Sequence, residues 1–182
     1  MNIRVLLLAA FLTLAGCASV PTATLPVINQ IQYTIGAGDK IALSVFREEE
    51  LSGEFQVNES GIISLPLVGN IVAAGKTIPQ FQQDLVALLG AEFVRDPNVT
   101  VSVVNYRPVY VLGEVQRPGE YAYTENMSVY ALVAKAGGFT YRADDNQVLI
   151  RHEGETEETA YRITSGGAVQ PGDTVRFVQR YF

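Results

Sequence analysis

The chain has 182 residues, 48% of them hydrophobic, and its 13 Lys and Arg face 19 Asp and Glu for a formal net charge of −6. That length suits one domain or two small ones, with enough apolar residues for a core. The acidic balance excludes nucleic acid, whose phosphates demand clustered Lys and Arg, and excludes electrostatic capture by an anionic lipid surface. The single cysteine, Cys17, excludes an internal disulfide.

In chain order, Met1–Arg4 is positively charged, Val5–Leu12 is apolar, and Leu14-Ala15-Gly16 leads small residues up to Cys17. Residues 1–16 read as a secretory signal peptide, because the apolar run is too short for a comfortable membrane span. Residues 17–30 carry no charge, contain Pro21 and Pro26 and show no period, so they read as a tether. Gly36, Gly38 and Asp39 then form a turn, and Ile41, Leu43 and Val45 alternate as in a half-buried strand. Gly61 opens another short strand through Ile62, Ile63 and Leu65; Pro66 and Gly69 punctuate it, and Ile71-Val72 resumes it. Thr77-Ile-Pro-Gln80 is a capping-box signature. Ile78, Phe81, Leu85, Leu88 and Leu89 follow at helical spacing. Asp96-Pro97 ends that helix, and Val99, Val101 and Val103 alternate as the next strand.

A second unit starts at Arg107-Pro108. Val109–Leu112 reads as a strand and Gly113–Gly119 as a turn-rich stretch, sharpest at Pro118-Gly119. Met127–Ala136 reads as a short helix that Gly137-Gly138 terminates. Val148–Arg151 and Ala160–Ile163 read as strands joined by a solvated acidic loop, His152–Glu158. The closing run Pro171–Val178 opens with Gly172-Asp173, an echo of Gly38-Asp39. Gly-Asp is good turn chemistry wherever it occurs, so the echo alone is weak. The expected fold class is α+β, a unit over 31–105 followed by a β-grasp-like unit over 106–182.

No constellation for catalysis stands out. Gly75-Lys76-Thr77 ends like a phosphate loop, but Asn70 holds the position that needs the first glycine. Gly36-Ala-Gly38 lacks the third glycine of a dinucleotide fingerprint. His152 is the only histidine, and its acidic neighbours match no common zinc spacing. No cofactor, metal or catalytic residue is therefore expected, and the chain reads as a non-enzyme. Tyr106, Arg107, Tyr110, Arg117, Tyr121 and Tyr123 crowd one stretch. Tyrosine rings and Arg donors suit sugar, while tyrosines in strands also pack sheets. Tyr106, Arg107, Tyr110 and Arg117 are the candidate glycan contacts.

Leu14-Ala-Gly-Cys17 resembles the bacterial lipobox, which implies cleavage before Cys17 and its acylation. Ala18 is not the aspartate of inner-membrane retention, which favours the outer membrane. Behind it, Tyr33–Asp39, Gly61–Asn70, Ala74–Thr77, Asp96–Val101, Val111–Tyr121, Ala136–Phe139 and Pro171–Asp173 together resemble the bacterial outer-membrane polysaccharide export family. Within that pattern Gly36, Gly38, Asp39, Gly113, Pro118, Gly119, Gly137, Gly138, Gly172 and Asp173 are the motif turns. The resemblance implies a polysaccharide-export domain over 31–105 and a soluble-ligand-binding β-grasp (SLBB) domain over 106–182. It also implies a lipid-anchored homo-oligomeric ring at the outer membrane, facing the periplasm and passing capsule or exopolysaccharide. An inner-membrane polysaccharide co-polymerase is the partner it implies. With one β-grasp unit and no C-terminal amphipathic helix after it, the expectation is a short-class member that hands glycan to a separate outer-membrane pore protein. The competing class is a monomeric periplasmic ligand-binding or scaffold lipoprotein.

Overall fold

The structure, a computed structural model, describes residues 23–27, 32–165 and 167–180. The expected signal peptide and Cys17 lie outside the described residues. The fold is α+β, with two apolar cores.

In the first unit β2 (Lys40–Val45) is the centre of a three-stranded antiparallel sheet, between β3 (Gly53–Gln56) and β6 (Val99–Asn105). The alternation of Ile41, Leu43 and Val45 places all three on the buried face. A 3-10 turn at Glu49–Leu51 precedes β3, and its Leu51 is buried. β4 (Ile62–Leu65) and β5 (Gly69–Val72) pair antiparallel as a separate hairpin. The sequence reading joined these two as one punctuated strand; Leu67, at φ 65, turns the chain back on itself instead. Helix α1 (Ile78–Glu92) starts at the expected capping box. The Gln80 N–H donates to Thr77 Oγ1 at 3.4 Å, and the Thr77 N–H donates to Gln80 Oε1 at 2.9 Å. Phe81, Leu85 and Leu89 are buried against the sheet, each worth about 2 kcal/mol of hydrophobic transfer. Leu88 falls off that face and is exposed.

The second unit is a six-stranded mixed sheet in the order β1-β10-β9-β11-β7-β8. Its strands are β1 (Ala23–Thr24), β7 (Val109–Gly113), β8 (Gly119–Tyr121), β9 (Ala143–Arg151), β10 (Thr159–Arg162) and β11 (Thr174–Gln179). β11 runs parallel to β7 and antiparallel to β9. Helix α2 (Val129–Lys135) covers one face, with Val129, Leu132 and Val133 packed among Val109, Val111, Ile150 and Val175. Its N-cap is Ser128, whose Oγ accepts the Ala131 N–H at 3.1 Å.

β1 corrects the reading of residues 17–30 as tether throughout. Ala23 and Thr24 pair in parallel with Tyr161 and Arg162. Leu25 is 2% exposed in the second core, and the Ala168 N–H donates to the Pro26 carbonyl. A lone leucine between prolines carries no period, so burial there is a tertiary choice. The chain thus touches the second domain, builds the first, and returns. No helix among the described residues is long and apolar enough to cross a membrane.

Candidate functional site: the junction of the two domains

The two Gly-Asp turns meet where the domains meet, and they are the same device used twice. Gly38 and Gly172 sit at φ 89 and 86, a left-handed conformation that glycine enters without a Cβ penalty. Each following aspartate folds back three residues. Asp39 Oδ2 accepts the Gly36 N–H at 2.7 Å, and Asp173 Oδ2 accepts the Gln170 N–H at 2.7 Å. Each aspartate N–H donates to the carbonyl of that same residue, at 3.3 Å for Asp39 and 3.2 Å for Asp173. Both carboxylates are buried, and a buried carboxylate is costly unless partnered.

Each finds one basic side chain. Asp39 takes Arg107: its Oδ1 accepts the Arg107 backbone N–H at 2.7 Å, and its Oδ2 accepts from the guanidinium at 2.7 Å. The Tyr33 hydroxyl also donates to Asp39 Oδ2. Arg107 Nε makes an ion pair with Glu153 of the second domain. The guanidinium packs closely against both glycines: a Cβ on Gly36 would be 2.5 Å from Arg107 Cζ, and one on Gly172 would be 2.8 Å from Nε. One side chain therefore bridges both domains, and both neighbouring turns need glycine for it to fit.

Asp173 takes His152. His152 Nδ1 is 2.7 Å from Asp173 Oδ1, and Nε2 is 3.3 Å from the Tyr161 hydroxyl. His152 is half-buried, not a member of the solvated turn expected from its acidic surroundings. The hydrogen bond to Asp173 raises its pKa above the ordinary 6.5; burial opposes, and the charges of Asp173 and Glu155 add to the rise.

Beside this junction lies a cleft of about 410 Å³. One wall comes from the start of α1 and from β6, the other from the loops at Tyr123–Asn126 and Ala168–Pro171. Three tyrosines line it in a ladder. Tyr33 and Tyr106 have ring centroids 5.0 Å apart at 90°, and Tyr106 and Tyr123 are 5.3 Å apart at 71°, both edge-to-face arrangements that aromatic rings favour. Desolvation raises the pKa of all three first of all; Asp39 adds to it at Tyr33 and Glu125 at Tyr106, while backbone N–H groups of Met127 and Asn126 oppose it at Tyr123.

The candidate glycan contacts do not converge. Tyr106 and Arg107 line the cleft. Tyr110 is exposed on the other face of the sheet, paired across β8 with Glu120. Arg117 donates to the Lys135 carbonyl at the end of α2 at 3.1 Å. Tyr33, absent from the candidates, joins the ladder; its only sequence signal is its place six residues before Asp39. Among the motif turns, Gly137 and Gly138 close α2, where the Gln116 N–H donates to the Gly138 carbonyl and the Arg117 N–H to the Ala136 carbonyl. Gly113 faces the Phe177 backbone across the β7–β11 pair. Pro118 and Gly119 are exposed where the chain enters β8.

Residues 28–104 match the family model for polysaccharide biosynthesis/export proteins, and residues 108–171 match the SLBB domain. The exopolysaccharide production protein ExoF of Rhizobium meliloti (strain 1021) is 33% identical over 157 residues, which is 80% of this chain and 37% of that protein. The EPS I polysaccharide export outer membrane protein EpsA of Ralstonia solanacearum is 28% identical over 161 residues, covering 74% of this chain and 39% of EpsA. The polysialic acid transport protein KpsD of Escherichia coli is 31% identical over 108 residues, covering 58% of this chain and 19% of KpsD. The chain spans less than half the length of these relatives. An export domain and an SLBB domain in this order, joined at the two Gly-Asp turns, place the chain in the bacterial polysaccharide export family.

Proposed function

We propose that the protein is a lipid-anchored, non-enzymatic component of a capsule or exopolysaccharide export machine, working at the outer membrane on its periplasmic side. The observation that carries this reading is the ordered pair of export and SLBB domains, supported by similarity to proteins named for polysaccharide export and transport. The domains are coupled through Arg107, Asp39 and Glu153, and a fixed domain angle is what a repeating protomer requires. Protomers close into a ring whose wet lumen passes glycan, a task that needs repeated contacts and no bond chemistry. Exposed apolar side chains supply contact surface: Tyr110 and Leu112 on β7, Phe46 and Leu67 on the export domain. Tyr106 offers its ring to glycan at the cleft, whereas Arg107 and Arg117 direct donors at protein groups. An inner-membrane co-polymerase supplies the polymer, and a separate outer-membrane pore protein receives it.

Acylated Cys17 is the anchor in this reading. Six Cα steps separate it from Ala23, at most about 20 Å of chain, so the β1–β10 edge of the SLBB domain rides close to the bilayer. A strain lacking the gene, complemented with wild type as control, tests the function. Loss of surface polymer, with polymer trapped inside or synthesis shut down, is expected. Unchanged surface polymer under inducing conditions, in a strain without a paralogue, refutes it and favours a monomeric ligand-binding lipoprotein. Cys17→Ser should release the protein from the outer-membrane fraction.

A further inference from the structure

We propose that the interdomain cleft on the Tyr33–Tyr106–Tyr123 ladder is a binding site for an uncharged pyranoside segment of the exported polymer, and that it discriminates against acidic sugars. The proposal rests on the export reading for the identity of the polymer, while the site itself is argued from its own chemistry.

Its volume, about 410 Å³, lies within the range of small-molecule sites and fits a molecule of disaccharide size. A sugar ring alternates an apolar C–H face with a girdle of hydroxyls, and the cleft offers both complements. Tyr33, Tyr106 and Tyr123 are each partly buried and partly accessible, so the floor is aromatic without being closed. All three phenols are in the O–H form at neutral pH, and desolvation raises their pKa further, so Tyr106 and Tyr123 present hydroxyls to a ligand. Thr34, Ser102, Asn126 and Gln170 add hydroxyls and amides around that floor, the small number of convergent polar groups that fixes orientation. Asn126 holds φ 59, a left-handed conformation that asparagine tolerates better than most residues, and this bend carries Glu125 and Asn126 along the rim.

Charge narrows the ligand class. Among the described residues, Arg107 is the one basic side chain lining the cleft, and its guanidinium is held by Asp39 and Glu153. Glu125, exposed at the rim, has no ion-pair partner among the described residues. An incoming phosphate or uronate would meet an engaged cation and a free carboxylate at once. A neutral or N-acetylated ring meets aromatic and apolar side chains, hydroxyls, amides and an acceptor for its own hydroxyl protons.

The test uses the full-length protein in detergent micelles, with tyrosine ring carbons labelled for NMR. The probes are oligosaccharides from partial hydrolysis of the producing strain's own surface polymer, separated by anion exchange into neutral and acidic fractions. The neutral fraction should shift the Tyr33, Tyr106 and Tyr123 signals with saturation in the millimolar range, and leave Tyr110 unmoved. Tyr106→Ala should weaken that binding about tenfold, whereas Tyr106→Phe should hold it within about threefold, a difference near 1 kcal/mol that separates ring stacking from a hydroxyl contact. Glu125→Lys, a surface change that leaves the fold intact, should admit the acidic fraction. Binding of acidic fragments alone overturns the proposal, and so does the absence of shifts at the three rings with either fraction. Export and cleft fail separately: unchanged surface polymer in the deletion strain with a binding cleft refutes the export reading alone, and lost surface polymer with an inert cleft refutes this site alone.

Discussion

Removing the Arg107 side chain tests the junction most directly. Its side chain is 12% exposed, and that of its partner Asp39 is fully buried. Arg107→Ala leaves the Asp39 carboxylate buried without its cation, a kind of change that typically costs about 3–5 kcal/mol. Asp39 keeps three other donors, from the Gly36 N–H, the Arg107 backbone N–H and the Tyr33 hydroxyl, so the lower end applies, about 3 kcal/mol. The Glu153 arm adds little, because that carboxylate is 43% exposed, and exposed pairs give about 0–1 kcal/mol. For a chain of this size about 3 kcal/mol corresponds to a fall of roughly 6–12 °C in Tm. The assay is urea and thermal unfolding of the full chain, with a double-mutant cycle. Arg107→Ala with Asp39→Asn should couple by about 2 kcal/mol, and Arg107→Ala with Glu153→Gln by under about 1 kcal/mol. Because Arg107 bridges two separate cores, the variant should also unfold in two steps. A loss below about 0.5 kcal/mol, within the range of an ordinary surface substitution, refutes the assignment of Arg107 as the interdomain bridge.

Gly113→Ala should cost at least about 3 kcal/mol, measured as the shift in urea midpoint, because a Cβ there overlaps the Phe177 carbonyl oxygen and lies 3.0 Å from its carbon while φ is 84. Thr77→Ala should cost about 1 kcal/mol by removing the N-cap acceptor of α1, and Thr77→Ser should restore most of it. Leu25→Ala should destabilise the SLBB domain by about 2–4 kcal/mol and increase hydrogen exchange along β10, which loses its neighbour β1. His152 gives a pH signature. Its folded pKa is raised, so its stabilisation is fully present below pH 6.5 and is lost as pH rises through the higher folded value. His152→Gln should therefore lower the urea midpoint at pH 6 and converge on wild type by pH 9; a gap that widens with pH would refute the pairing with Asp173.

The sequence was legible where one residue's own chemistry fixed the local answer. Thr77 and Gln80 announced their capping box, the alternating valines of β6 announced their face, and Gly38-Asp39 and Gly172-Asp173 announced turns. It was silent where the deciding partner lay far along the chain. Arg107 reads as a candidate glycan contact until Asp39, 68 positions earlier, closes on it. His152 reads as solvated among glutamates until Asp173 accepts its proton. β1 has two exposed residues and no pattern at all; only the slot beside β10 makes it a strand. The β4–β5 hairpin was missed because Pro66 reads as an interruption, when the reversal needs the left-handed Leu67 that follows.

The repeated turn joins the two small domains. A Gly-Asp turn gives each domain a buried carboxylate that its own backbone satisfies only in part, and each carboxylate finishes on a basic side chain from elsewhere in the chain. Arg107 and His152 are those side chains, and Glu153 joins them, being the next residue after His152 and the second partner of Arg107. Arg107 thus ties the domains together through charges, and its buried partner Asp39 cannot be left unpaired at low cost. The tyrosine cleft opens beside this point, with Arg107 and Gln170 belonging at once to its lining and to the two turns. A change of angle therefore alters the cleft, and an occupant of the cleft bears on the angle. In the proposed export role, that reciprocity ties a bound sugar to the angle between the two domains.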